Sequence, residues 1–446
     1  MTTDTAAVAR LGREAIRPLR TLDPAAPLDD LAWLDEAVGD ARVVAIGESA
    51  HYNHESYLLR HRLLRYLVER HGFTAYATES GFTEGWLTDR WVRGDTGDLG
   101  DVLANGLTSL FGLWTEMRAH LEWMRRHNSS TTRPVGFYGI DLGGSNVSLL
   151  PGLDAVVGYL AQADPEFEVD AVIRDTASTF AGTSAFALAA TMAAYRALVP
   201  EGRDALTAGL AGLTARMTSG RLDYVRRTTV EAYERALRSL RLTTTMDMAM
   251  RAMARDDRHG AFANRDAAIA DTVEWVLRRE DRIVVTAHNG HIQRWPGTLP
   301  GVLSAATMGM HLADRLGEDY LVIGTTSGTG QTLNTGTDFY AGMLFAQLEP
   351  RQTGSLDALM AVSHDGPFAV DLRRLSAADT TTVRAVTRQQ YGNVCANLSP
   401  LDAYDVVVHL PRVTPAEPDD DAVARSPHDV QNAFSQWKSR RQGANQ

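Results

Sequence analysis

The stretch Arg42-Val43-Val44-Ala45-Ile46-Gly47-Glu48-Ser49-Ala50-His51 decides how this chain is read. A short apolar run ends on a glycine, and residues able to do acid/base chemistry follow at once. The same pattern recurs along the sequence. Residues 73–77 lead to Glu79, and residues 135–140 lead to Asp141. Residues 283–287 lead to His288, with His291 three positions on. A fifth run, 320–323, opens into Gly324-Thr325-Thr326-Ser327-Gly328. In an open parallel α/β sheet, ligands bind outside the carboxyl ends of the strands. These histidine, glutamate and aspartate side chains are therefore expected to share one crevice, as a hydrolytic or other acid/base site would require.

Composition narrows the class. A length of 446 residues suffices for one large or two moderate domains. A formal net charge of −11 argues against nucleic acid or an anionic membrane as the main partner. Cys395 is the single cysteine, which excludes an internal disulfide and fits a reducing compartment. No activating motif surrounds it, so it reads as a small packing residue rather than a nucleophile. The first twenty residues carry no apolar signal core, and no apolar run reaches membrane-spanning length. The expected location is cytoplasmic and the expected partner is a small molecule.

Periodicity supplies the organisation. A strand over 42–46, a helix from 54 to 69 closed by Gly72, and a strand before Glu79 make a parallel crossover unit. A further helix is expected over 112–128 and a strand over 134–140. From about 150 to 280 the apolar residues recur at three and four, which predicts helices over 154–163, 184–198, 204–217, 221–253 and 264–279. Sheet elements resume at 282–288, 320–326 and 404–410. The expected division is an α/β core at 1–149 and 281–412, a helical cap at 150–280, and an acidic, partly flexible tail at 413–446.

Each candidate residue has a plainer alternative. Glu48 and His51 lie three apart in a strand-to-helix turn, open to ligand yet anchored by the scaffold. His51 suits a general base because imidazole titrates near neutral pH, and Glu48 could orient it. The alternative is a helix cap beside a surface histidine. Arg60 could equally make a surface salt bridge, Glu79 a cap, and Asp141 a simple turn beside Gly143-Gly144. His288 and His291 could bind a metal, hold an anion or position a carbonyl. His54, His61 and His71 read as helix-surface residues. No serine-hydrolase elbow, phosphate-binding loop or zinc-protease helix is present.

Several of these blocks resemble the erythromycin esterase family. They are Gly47-Glu48-Ser49-Ala50-His51, Tyr57-Leu58-Leu59-Arg60-His61-Arg62-Leu63, Gly72-Phe73-Thr74 and Glu79-Ser80-Gly81-Phe82. Phe137-Tyr138-Gly139-Ile140-Asp141, Asn264-Arg265-Asp266, Ala287-His288-Asn289-Gly290-His291 and Tyr404-Asp405-Val406-Val407-Val408 extend the likeness over about residues 25–412. The resemblance implies a three-layer α/β/α core with a mainly parallel sheet, a helical insertion and no required metal or other cofactor. It also implies that His51 activates water against a macrolide lactone. Glu48, Glu79 and His288 are then catalytic, and Arg60, His291 and Asp141 bind substrate. Other reactions on the same scaffold stay open: cyclisation, dehydration or acyl transfer in natural-product tailoring, or sequestration of a ligand without turnover.

Overall fold

The computed structural model describes residues 9–297 and 304–444. The chain forms two compact units, Met1–Tyr76 with Glu280–Glu417, and Ala77–Arg279 with Pro418–Gln446. The architecture is α/β, a mixed and mostly parallel sheet flanked by helices. No helix among the described residues is long and apolar enough to cross a membrane.

The first unit is built on strands whose apolar runs are buried end to end, as expected for parallel strands covered on both faces. Val43–Glu48 pairs in parallel with Ile283–His288 on one side and with Tyr320–Leu333 on the other. Tyr320–Leu333 in turn pairs in parallel with Val406–Val413. The register sets Glu48 directly beside His288. An antiparallel strand, Phe368–Asp371, and the short Arg17–Pro18 complete that edge. The helix His54–His71 lies against this sheet and ends on Gly72, whose φ of 66° is the left-handed conformation a glycine supplies most easily.

The fifth run is longer than its reading: the sheet element expected over 320–326 continues to Leu333. Its glycines serve close packing, since a Cβ on Gly328 would collide with the Pro411 carbonyl of the neighbouring strand. The short strands Phe345–Gln347, Arg388–Tyr391 and Val394–Asn397 were also not expected.

The second unit holds the strand end that carries Glu79 and its sheet neighbour Gly136–Asp141. Between 150 and 280 the described residues form helices and no strand. The long element expected over 221–253 is two helices, Arg221–Arg227 and Val230–Ala254. Thr228 leaves helical geometry, and the Thr229 hydroxyl then accepts from the Ala232 amide to start the second helix. Val230–Ala254 packs against Leu150–Ala163, Pro200–Ser219 and Arg258–Leu277. The tail carries two helices, Asp420–Ala424 and His428–Ala444. Phe434 and Trp437 of the latter are buried against Trp114, at ring separations of 5.2 and 6.1 Å.

Candidate active site

In the first unit, Glu48 leaves the end of its strand fully buried. One carboxylate oxygen lies 2.6 Å from His51 Nδ1, and the other lies 2.8 Å from Arg60. Arg60 comes from the inner face of the helix His54–His71 and is only 2 % exposed, so the surface ion pair considered for it is not what forms. His51 keeps about a quarter of its side chain exposed (23 %), enough to meet a ligand. The turn that presents it is strained: Tyr52, which follows, has a φ of 64°.

Glu48, as the anionic partner of Arg60, can only accept a hydrogen bond. The proton of neutral His51 therefore sits on Nδ1, and Nε2 carries the lone pair. His288 has the opposite arrangement. Its Nδ1 accepts from the Gly290 amide at 3.0 Å, because the imidazole caps the short helix Asn289–Ile292. The proton of neutral His288 is then on Nε2, which faces the Ser49 carbonyl at 3.3 Å. The two rings are 5.3 Å apart. One unit thus pairs an imidazole acceptor with an imidazole donor, which is the minimum for moving a proton to and from a reacting group. His291 is buried at the far end of the same short helix.

A second set of contacts supports these side chains. Tyr391 sets its ring against His288 at 5.2 Å, and its hydroxyl donates to Gln293. The Ser49 and Ser327 hydroxyls are 2.5 Å apart. Asp357 is fully buried and accepts from the amides of Gln390 and Ser327. Burial pushes its carboxyl up to about 7, and the two amide bonds oppose that only in part.

In the second unit, Arg265 joins the two expected carboxylates. It reaches Asp141 at 2.6 Å and Glu79 at 2.9 Å. Burial disfavours its charge, yet Asp141 and Glu79 outweigh that and hold its pKa above the ordinary value. Close by, one oxygen of Glu84 accepts from the Gly144 amide at 2.6 Å. Burial raises the Glu84 pKa, and the Asp141 charge adds to the rise.

Of the seven residues read from the sequence, Glu48, His51, Arg60, His288 and His291 fall in the first unit, and Glu79 and Asp141 in the second. His61, read as a surface residue, is buried. His71 does reach solvent in part and bonds Asp35. Cys395 is partly exposed, and burial raises its thiol pKa, the opposite of what a nucleophile needs. Arg265, Tyr391, Asp357, Ser327 and Glu84 were not singled out. Asn264-Arg265-Asp266 was visible as a motif, but helix periodicity says nothing of an ion pair 124 residues distant in sequence. Among the described residues, no group of three or more His, Cys, Asp or Glu could hold a metal ion.

A family model described as erythromycin esterase matches residues 68–413. Erythromycin esterase type II of Escherichia coli is 30 % identical over 322 residues, 71 % of this chain and 76 % of that protein. Erythromycin esterase type I of Escherichia coli is 27 % identical over 319 residues, 67 % of this chain and 74 % of that protein. Among solved structures, a Bacillus cereus protein superposes with a TM-score of 0.76 at 21 % identity, covering 91 % of this chain and 97 % of its own. An erythromycin esterase mutant in its open conformation gives 0.73 at 21 %, covering 90 % and 98 %.

Proposed function

The chain belongs to the erythromycin esterase family, and from that premise we propose that it hydrolyses an ester or macrolactone with water activated by His51. The observation that carries the reading is the pair of rings 5.3 Å apart, with Glu48 at 2.6 Å from His51 Nδ1 and the Gly290 amide at 3.0 Å from His288 Nδ1. His51 Nε2 takes a proton from water, and the resulting hydroxide adds to the ester carbonyl carbon. Glu48 favours the imidazolium that forms, and Arg60 keeps Glu48 fixed and anionic. His288 Nε2–H turns from the Ser49 carbonyl, 3.3 Å away, to donate to the substrate carbonyl oxygen as it becomes negative. Collapse breaks the acyl carbon–oxygen bond, and the proton returns from His51 to the leaving alkoxide. The products are a carboxylic acid and an alcohol. In the same reading Glu79 belongs to the catalytic set, and Asp141 and His291 are assigned to substrate binding. The preferred substrate class is the macrolide lactone, carried over from the relatives' names.

The test is incubation with a panel of macrolides in heavy-oxygen water, read by mass. A gain of one labelled water, lost in His51→Ala, supports hydrolysis. An unchanged panel with well-folded protein turns the reading towards tailoring of another natural product. Tight binding of a macrolide recovered unchanged turns it towards sequestration.

A further inference from the structure

The second unit contains a cavity of about 340 Å³ between the helices Pro200–Ser219, Val230–Ala254 and Arg258–Leu277. Arg238 lines it and is only 6 % exposed. A buried guanidinium is normally met by a carboxylate, because an uncompensated interior charge is costly. This one is not. Its hydrogen bonds go to neutral acceptors only, the Thr272 hydroxyl at 2.7 and 3.1 Å and the Ala268 carbonyl at 2.7 Å. Its Nη1 makes no hydrogen bond to the described residues. Burial lowers its pKa to about 10; Asp271 and Glu274 favour its charge, and Arg241 and Arg278 oppose it. No carboxylate bonds it directly, so its charge has no counter-ion in contact.

The rest of the lining is selective. Arg241 is an exposed second guanidinium, with no ion pair among the described residues. The hydroxyls of Thr214, Thr244 and Thr245 each donate to the carbonyl four residues back in their own helix, at 2.9 to 3.0 Å. Their oxygens are left as acceptors. Asp271 adds a carboxylate. Such a wall takes one anionic group at the arginines and hydroxyl groups at the threonines and Asp271. We propose that this cavity is a binding site for a small polyhydroxylated anion, a sugar phosphate or a sugar acid, with its anionic group on Arg238 and Arg241. The site is independent of the ester-hydrolysis reading and uses none of its residues.

The experiment is calorimetric titration of the full chain with inorganic phosphate, glucuronate and glucose, together with thermal unfolding in the presence of each. Phosphate or glucuronate should bind and raise the Tm, and glucose should bind far more weakly. The tighter of the two anions assigns the anionic group. Arg238→Met should lose about 10–100-fold in anion affinity, the worth of a charge-assisted contact. Its own Tm without anion should be equal or higher, because an uncompensated buried charge has been removed. Arg241→Ala, at an exposed position, keeps the fold and should weaken the anion several-fold. Failure of both anions to bind the wild type overturns the proposal. So does an affinity unchanged in Arg238→Met or, should that variant not fold, in Arg241→Ala.

Discussion

Glu48→Gln separates the two duties of the buried carboxylate. Glu48 is fully buried and Arg60 nearly so, at 2.8 Å, so the amide leaves a guanidinium short of its counter-charge in the interior. Removing one partner of a buried pair costs about 3–5 kcal/mol. For a unit the size of the first one this lowers the Tm by about 10 °C or somewhat more. Glu48→Gln with Arg60→Met removes both charges and keeps the volume, so most of the lost stability should return. Activity should not return, because His51 has lost the anion that orients its ring and favours its imidazolium. The assay is thermal and urea unfolding of the wild type, both single variants and the double, beside ester turnover of each. A double variant no more stable than Glu48→Gln would refute the buried-pair argument. Turnover restored in the double variant would refute the orienting role of Glu48.

His51→Ala should lower turnover about 10²–10⁴-fold with little change in unfolding, whereas His54→Ala should leave turnover nearly intact; near-normal rates for His51→Ala shift the base to another group. Glu79→Gln is expected to reduce turnover while circular dichroism stays native, and an unaffected rate removes Glu79 from the catalytic set. Two buried groups give opposite pH slopes to stability. Burial lowers His409 to about 3, so between its unfolded value near 6.5 and about 3 the unfolded chain binds more protons and stability falls on acidification. Asp357, raised to about 7, binds its proton earlier in the folded chain, so between about 7 and its unfolded value near 3.8 stability rises on acidification. Unfolding free energies of His409→Leu and Asp357→Asn from pH 7 to 4 should therefore diverge from the wild type in opposite senses, each by a few kcal/mol at the order-of-magnitude level; parallel profiles count against both assignments. Gly47→Ala would drive a Cβ into the Asn289 side-chain oxygen, which accepts from the Thr325 amide, so poor folding yield is expected and a native Tm would contradict the packing.

What the sequence determined by itself is the local order of elements and their chemistry. Apolar runs such as Val43–Ile46 are continuous because strands buried on both faces need no polar alternation, so they could be read without knowing their neighbours. The strand-end residues Glu48, Glu79, Asp141 and His288 were legible for the same reason: each follows its run within two positions. The helical stretch from 150 to 280 was legible from its period. The Gly392-Asn393 pair between Tyr391 and Val394 is a two-residue hairpin turn that could have been read too, and with it the strand bringing Tyr391 to His288.

Only the tertiary structure decided the rest, because it depends on contacts between residues far apart in the chain. Parallel register placed Glu48 beside His288, across 240 positions, and no local pattern encodes that pairing. Whether Arg60 met solvent or Glu48 turned on which face of its helix the sheet covered. The proton positions on His51 and His288 were set by a carboxylate and a backbone amide, and an isolated imidazole has no preference strong enough to choose. Arg265, Asp357 and Arg238 look like ordinary charged residues on amphipathic helices. Their character comes from burial and from which partners fold against them, and both are properties of the packed chain.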